Sequence, residues 1–364
     1  MTSPDIVIAG GGVIGLMTAY ALAREGARVT VIDAGAPSAT AAAAGMLAPS
    51  FESALHAGAA LERFARSSLA RWRAIAPEIT ETAEVAIDFR TNGILSVAFD
   101  DDDAARFPED MTGGVRLSVR EARALEPALS PAIAGAWFAD GDGQVDPRAL
   151  LRALPAAIAR HGGRLVRGKR VAAIDTAHGA VAGVRLSSGE RMGAGVVILA
   201  TGAAIAAFSA LPAGAIFPVK GEAVALATGE GAPAHVIRTR SAYLCPKADG
   251  RVIVGATQRP HDRSLTTDAE RIDALKSGAA RAAPALTAAA EIERWAGLRP
   301  ATADGSPVIG PAPEGPAGLF HALGHYRNGV LLAPATAAAL MNLILKGEGA
   351  KDLAAFSAGR FRAT

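Results

Sequence analysis

The chain begins with a short apolar run, Asp5-Ile6-Val7-Ile8-Ala9, that leads straight into Gly10-Gly11-Gly12-Val13-Ile14-Gly15. A continuous apolar segment of this length, bounded by glycine, predicts a strand buried on both faces. Leu16, Ala19, Tyr20 and Ala23 then recur at helical spacing, Gly26 closes that helix, and Arg28-Val29-Thr30-Val31-Ile32 predicts a second strand ended by Asp33. Further on, Leu61 to Trp72 is helical in pattern, and Val85 to Phe89 with Ile94 to Ala98 reads as a hairpin around Thr91-Asn92-Gly93. Asp146-Pro147 is a helix start and Gly162-Gly163 its stop, with Leu150, Leu151, Leu154 and Ile158 as the buried face. Leu165-Val166, Val171 to Asp175, Val181 to Leu186 and Val196 to Ala200 follow as strands, with turns at His178-Gly179 and Ser188-Gly189.

From Pro218 the pattern changes. Val219 to Ala227, His235 to Arg240, Ala242 to Lys247 and Val252 to Ala256 predict strands, with Ala248-Asp249-Gly250 as a turn. Thr267 and Glu270 have the spacing of a capping box, and Ile272, Leu275 and Ala279 form the apolar face of the helix that follows. Strands followed by an amphipathic helix predict a separate antiparallel-sheet domain. Gly324 to Pro334 leads into a helix that carries no charge through Leu345; apolar all round, it belongs inside the molecule. The predicted class is α/β: a discontinuous Rossmann-like dinucleotide-binding domain (1–80, 145–217 and 296–364) and a second, antiparallel-sheet substrate domain (81–144 and 218–295).

Composition narrows the function. With 50% hydrophobic and 20% charged residues over 364 positions, the chain can bury a large cofactor, and its net charge of +2 gives no reason to expect nucleic acid. A single cysteine excludes an internal disulfide, Cys-rich metal sites and a redox Cys-x-x-Cys, and suits a reducing cytoplasm. No metal is expected: the carboxylate run Asp100 to Asp103 reads as a solvated loop. The N-terminal apolar run lacks a preceding basic region and reads as a strand rather than a signal peptide. No charge occurs between Arg191 and Lys220, but glycine and proline punctuate that stretch, so a buried strand and loop are expected and no membrane span.

Strand, glycine turn, helix, second strand and terminal acid together place G-x-G-x-x-G where dinucleotide chemistry needs it. Gly10 permits the tight turn, Gly12 lets backbone approach a pyrophosphate, and Gly15 lets helix and sheet pack closely. The free N–H groups of Gly12, Val13 and Ile14 at the helix start attract phosphate, and Asp33 stands where an acid takes ribose hydroxyls and repels a 2′-phosphate. Ala200-Thr201-Gly202 is another small-residue turn at the carboxyl end of a strand, where ligands of open α/β sheets bind. Ala39 to Pro49 is either a segment running over the cofactor or an Ala-rich packing helix.

Six ordered matches carry a resemblance. They are the glycine fingerprint, Ala42-Ala43-Ala44-Gly45-Met46-Leu47-Ala48-Pro49, Phe217-Pro218-Val219-Lys220-Gly221-Glu222, Tyr243-Leu244-Cys245-Pro246-Lys247 followed by Val254-Gly255-Ala256-Thr257, Trp295-Ala296-Gly297-Leu298-Arg299-Pro300, and Gly324-His325-Tyr326-Arg327-Asn328-Gly329. Over nearly its whole length the chain resembles the glycine oxidase branch of the FAD-dependent D-amino acid oxidase family. That resemblance implies noncovalent FAD, contacted by Ala43, Gly45 and Met46, by Val171, Thr201 and Gly202, and by the loop of His325, Arg327, Asn328, Gly329, Val330 and Leu331. It implies that Arg299 pairs with a substrate carboxylate, that Tyr243 donates to it, and that Arg327 stands in the same catalytic set. Read from the residues alone, Arg299 could instead serve a surface salt bridge, Tyr243 could be a sheet residue, and Arg327 could hold backbone; His325 reads as a loop anchor rather than a base.

The implied reaction is hydride transfer from a small amino acid with a neutral amine to flavin N5, with oxygen as final acceptor, peroxide as product and no protein base. The resemblance also implies a role in building the thiamin thiazole and a homo-oligomer, a tetramer by analogy. The chain departs from the pattern at Ser241 and Gln258, which predict a more polar pocket, and Cys245 reads as a packing residue. Two rivals remain at this stage. One is a D-amino acid or secondary-amine oxidase or dehydrogenase of other specificity, the other a nonenzymatic or NAD-only dinucleotide-binding protein, which would be colourless.

Overall fold

The computed structural model describes residues 5–51, 58–105, 113–204 and 207–362. Its organising layer is a six-stranded sheet in the order Val308–Pro311, Leu319–Leu323, Val196–Leu199, Ile6–Ala9, Val29–Asp33, Arg164–Arg167. The strands pair in parallel except at the Val308–Pro311 edge. Ile6–Ala9 and Val196–Leu199 are buried at every position because both faces of the sheet are covered. Alternate residues divide between the two faces. Ile6, Ile8 and Ile198 join the helices Val13–Arg24, Ala59–Ala83, Pro147–Arg160 and Gly329–Lys346, whereas Val7, Ala9, Val197 and Leu199 meet the strands Val171–Ala177 and Ala180–Leu186.

These last two strands and Arg191–Gly193 make a separate three-stranded antiparallel sheet, with turns at His178-Gly179 and Gly189, all at positive φ. Asp146 caps the helix Pro147–Arg160 through the amides of Arg148 and Ala149, and Leu150, Leu154 and Ile158 are buried, whereas Leu151 is only half-buried. The helix Gly329–Lys346 has 18 residues and a mean hydropathy of 1.6, long and apolar enough to cross a bilayer. It is instead a core helix, 56% buried, tied by Ser68 Oγ to Leu331 O (2.6 Å) and by Trp72 Nε1 to Val330 O (3.0 Å).

The second layer is a nine-stranded, mainly antiparallel sheet built around Phe217–Ala227, which pairs with Arg251–Gly255 on one side and with Glu291–Ala301 on the other. Val224, Leu226, Leu244, Val252 and Val254 face the helix Ala269–Ala282 through Ile272, Leu275 and Ala279. On the opposite face Ile94, Val236, Cys245 and Ile253 pack with Ala44, Ala48 and Phe51. Glu291–Ala301 stays in this sheet throughout, across the boundary placed at residue 296.

Four local expectations need correction. Val85 to Phe89 forms no strand, so the expected hairpin is absent; Ile94–Ala98 pairs instead with Gly135–Ala139 and, in parallel, with Val236–Arg238. Asp88 there serves as a tether, taking Arg90 Nε at 2.7 Å and Ala248 N at 2.8 Å. Asp100 is the N-cap of a short helix, Asp101–Ala104, whose first-turn acids complement its dipole. The helix cap expected at Thr267 is Asp268, which accepts from Arg271 N, and the helix expected at Leu61 to Trp72 extends over Ala59–Ala83.

Candidate active site

Between the two sheets, at the carboxyl ends of the parallel strands, lies a cavity of about 880 Å³. It opens where the chain passes from Ile6–Ala9 to Val29–Asp33 on one side while Val196–Leu199 lies on the other, the switch point at which such sheets bind ligands. Gly10 has φ +120°, and a Cβ on it would stand 2.2 Å from Ala200 O. A Cβ on Gly15 would stand 2.0 Å from Gly10 O, so Gly15 lies beneath the loop and works by close packing rather than by lining the cavity. Gly11 presses against Asp33, whose Cγ would be 2.5 Å from an added Cβ.

The helix Val13–Arg24 begins at Gly12 with no side-chain cap and no acid in its first turn. Its positive end therefore faces the cavity uncompensated, although Thr40 Oγ1 takes the Val13 amide at 3.0 Å. Gly12, Val13, Ile14, Asp33, Val171, Thr201 and Gly202 all line this region. Backbone donors at a helix start, beside one carboxylate, fit a dinucleotide whose pyrophosphate would meet the helix and whose ribose would meet Asp33.

Ala43, Ala44, Gly45 and Met46 line the cavity too. This stretch is neither a long packing helix nor an open loop. A single turn, Ala39–Ala42, is capped by Ser38 Oγ, and Met46–Leu47 pairs with Gly143–Gln144. Gly45 has φ +86°, and a Cβ there would stand 2.0 Å from Val145 O. His325, Tyr326, Arg327, Asn328, Gly329 and Val330 line the cavity as well. His325 is buried with Nε2 3.0 Å from Thr336 Oγ1, and its carbonyl accepts from Asn328 N at 2.9 Å. Burial pushes its pKa down to about 3, so it is a neutral anchor across the physiological range. Leu331 does not line the cavity: it is buried, and its carbonyl holds Ser68.

The third region is the cavity-side face of the antiparallel sheet. Strand register sets Arg238, Tyr243, Gly255 and Ala223 in one row across four strands, with Gly221 and Arg299 on the same face. Glycine makes the room. A Cβ on Gly221 would stand 2.3 Å from Arg299 Nη2, and one on Gly255 would stand 2.5 Å from the Tyr243 hydroxyl oxygen. Arg299 Nη1 donates to Thr257 O at 3.1 Å, and Thr257 is held in turn by the buried Glu222, whose Oε2 accepts from Thr257 Oγ1 at 2.9 Å.

Burial pushes the Tyr243 hydroxyl up to about 12 against the opposing charge of Arg299, so it stays a donor. Ser241 and Gln258 both line the cavity, Gln258 accepting from the Tyr326 hydroxyl at 3.0 Å, whereas Cys245 is fully buried in the sheet with its thiol pushed up to about 11. Among the described residues the lining carries six arginines (170, 238, 240, 263, 299 and 327) and one carboxylate, Asp33. Such a surplus favours anionic ligands.

Lys247 and Thr257 fall within the matched motifs without an assigned role, and neither Arg238 nor the clearing of space by Gly221 and Gly255 is foreseen in the sequence. The available signal was glycine inside strand-forming segments, which marks close approach. Among the described residues no group of three or more His, Cys, Asp or Glu side chains gathers as metal ligands.

A family model described as FAD dependent oxidoreductase (DAO) matches residues 5–343. The bifunctional protein ThiO/ThiG of Synechocystis sp. is 36% identical over 373 residues, covering 100% of this chain, which spans 55% of that longer protein. The glycine oxidase of Geobacillus kaustophilus is 34% identical over 98% of this chain and 97% of its own length. The crystal structure of glycine oxidase from Geobacillus kaustophilus agrees with this fold at a TM-score of 0.91, with 32% identity and 99% of both chains covered. A match that runs from the first strand into the last long helix, over a cavity shaped for a dinucleotide, identifies this chain as a member of the FAD dependent oxidoreductase family.

Proposed function

We propose that this chain is an FAD-dependent glycine oxidase that also takes small amines and D-amino acids such as sarcosine or D-alanine, converting them to the imine with oxygen reduced to hydrogen peroxide. The observation that carries this reading is the pairing of Arg299 and Tyr243 on one sheet face, each given space by a glycine and both open to the cavity. The relatives named glycine oxidase support the choice among amino acid oxidases. In this reading the parallel-sheet part holds the cofactor and the antiparallel sheet holds the substrate.

Arg299 is held from behind by the Thr257 carbonyl, which leaves its planar fork to take a carboxylate in charge-assisted bonds. Tyr243, protonated throughout, adds a third donor and fixes the carboxylate's rotation. With that end fixed, the α-carbon would be presented to the part of the cavity lined by Ala43–Met46 and His325–Val330. FAD, held by the Gly10–Gly15 turn, Asp33 and these two stretches, would supply a two-electron acceptor there, with oxygen as the final oxidant.

Among the described residues no carboxylate lines this region to pair with an ammonium; in this reading the amine enters neutral, and its lone pair would form the C=N bond of an iminium that then gives up a proton to water. His325, neutral and hydrogen-bonded to Thr336, takes no proton in this scheme. Ser241 and Gln258 favour a second reading, an oxidase or dehydrogenase for more polar D-amino acids or secondary amines. The likeness to ThiO/ThiG supports a role in supplying an imine for thiamin thiazole synthesis, and the lone buried cysteine suits a reducing cytoplasm.

Anaerobic stopped-flow mixing of the flavoprotein with glycine, sarcosine, D-alanine and D-proline tests this. Bleaching of the flavin band by glycine, severely weakened in Arg299→Ala, is expected. Bleaching only by larger D-amino acids would move the assignment to the second reading, and glycine bleaching unchanged in Arg299→Ala would refute the carboxylate anchor.

A further inference from the structure

Lys247 follows the strand Tyr243–Pro246 and is buried, on the same sheet face as Tyr243 and Cys245. Its ammonium has a full set of acceptors: Ala44 O at 2.6 Å, Gln144 Oε1 at 3.0 Å and Val145 O at 3.2 Å. All three are neutral. Burial pulls its pKa below the usual lysine value, with Cys245, Asp146 and Asp88 acting the other way and Arg90 adding to the fall, while the three close acceptors hold the protonated form. A buried ammonium surrounded by dipoles rather than by a counter-charge is costly, and an apolar side chain of similar length would avoid that cost. Its acceptors indicate its use.

Ala44 precedes Gly45, and Val145 is the residue whose amide donates to Gly45 O at 2.9 Å and whose carbonyl leaves no room for a Cβ on Gly45. The ammonium therefore ties together the two backbone segments that hold the left-handed turn at Gly45. Ala44, Gly45 and Met46 line the cavity; Lys247 lies behind them and does not.

We propose that Lys247 is a positioning residue for the flavin, pinning the Ala44–Met46 wall against the ring and setting behind it a fixed positive charge that stabilises the electron-rich reduced form. The inference rests on the reading above, in which this wall faces the isoalloxazine. Two effects follow from one group. The pin holds a contact surface that FAD needs in order to bind. The charge, little screened at this depth, raises the reduction potential of whatever lies in front of it. The uncapped N-terminus of Gly329–Lys346 contributes a partial charge of the same sign.

The test uses the FAD-loaded protein and three variants, Lys247→Met, Lys247→Gln and Lys247→Arg. The readouts are the midpoint potential of the bound flavin, by dye-coupled reduction, and the affinity of the apoprotein for FAD. Lys247→Met is expected to lose at least tenfold in FAD affinity and to lower the potential. Lys247→Gln keeps donors without charge, so affinity should partly return while the potential stays low. Lys247→Arg keeps the charge and should hold the potential near that of the parent protein.

Affinity and potential both unchanged in Lys247→Met and Lys247→Gln would overturn the proposal, and a potential in Lys247→Arg as low as in Lys247→Gln would overturn the role of charge. If Lys247→Met does not fold, the Gln and Arg pair decides. Failure of the underlying reading looks different: the parent protein itself would then bind no flavin.

Discussion

Replacing Gly221 with alanine isolates the placement of Arg299 from its presence. The added methyl carbon would stand 2.3 Å from Nη2, 2.4 Å from Nη1 and 2.5 Å from Cζ of Arg299. Ordinary contact begins near 3.4 Å, so the guanidinium must retreat by roughly 1 Å, the difference between 3.4 and 2.3. Charge-assisted bonds between guanidinium and carboxylate hold only over about 2.7–2.9 Å, and each contributes about 1.5–3 kcal/mol. Losing one of them, with the substrate displaced by about 1 Å, should lower kcat/KM about 100-fold.

The fold should tolerate the change. Gly221 lies in a regular strand without positive φ, alanine there costs less backbone entropy than glycine, and the opposing atoms are the end of a flexible side chain. Oxygen uptake over a glycine concentration series, with FAD content and Tm measured on the same preparations, reads out the prediction. A rise in KM carrying most of the loss, with flavin retained and Tm shifted by no more than a few degrees, is expected. A parent-like KM would refute the placement of Arg299 over Gly221, and loss of flavin would show that the residue serves the cofactor instead.

Two further outcomes follow from the same geometry. Tyr243→Phe should lower kcat/KM about tenfold, the worth of one hydrogen bond of about 1.4 kcal/mol, and because the hydroxyl titrates at about 12, the parent's pH–rate profile should carry no limb from it below pH 11. Asp142 is buried beside Ser50 Oγ (3.0 Å), and burial pushes its carboxyl up to about 7, with the charges of Arg66 and Arg238 opposing. The unfolded chain ionises this acid near 3.8 and the folded one resists until about 7, so its contribution to stability is full below the lower value and is lost as pH rises through that window. Asp142→Asn should therefore stabilise the protein at pH 8 by roughly 2–4 kcal/mol and hardly at all at pH 4, and urea melts at both values that moved together would refute this.

Much of the site was legible because its chemistry is local. The turn at Gly10–Gly15, the acid at Asp33, the cap at Asp146 and the apolar last helix each depend on residues within a few positions of one another, and such signals survive in a linear string. The placement of Arg299 and Tyr243 came from ordered motifs, and the structure sets both on one wall of the cavity. Leu331, expected beside FAD, is buried in the core and does not line the cavity, whereas Val330 both lines it and packs into the core.

What the sequence determined by itself, then, was the kind of elements, the dinucleotide turn and the class of chemistry. Only the tertiary structure decided which strands pair, and with them the walls of the cavity. Ile94–Ala98 finds its partners at Gly135–Ala139 and Val236–Arg238 rather than in an adjacent hairpin, because the apolar faces of distant strands compete with a local turn and bury more surface. Lys247 and Ala44 are separated by 203 positions and joined by one hydrogen bond. Gly221 clears space for an arginine from the neighbouring strand. A glycine inside a strand marks a close approach, but neither segment alone says what approaches it, since each relation arises from contact between surfaces that meet only when the chain has folded.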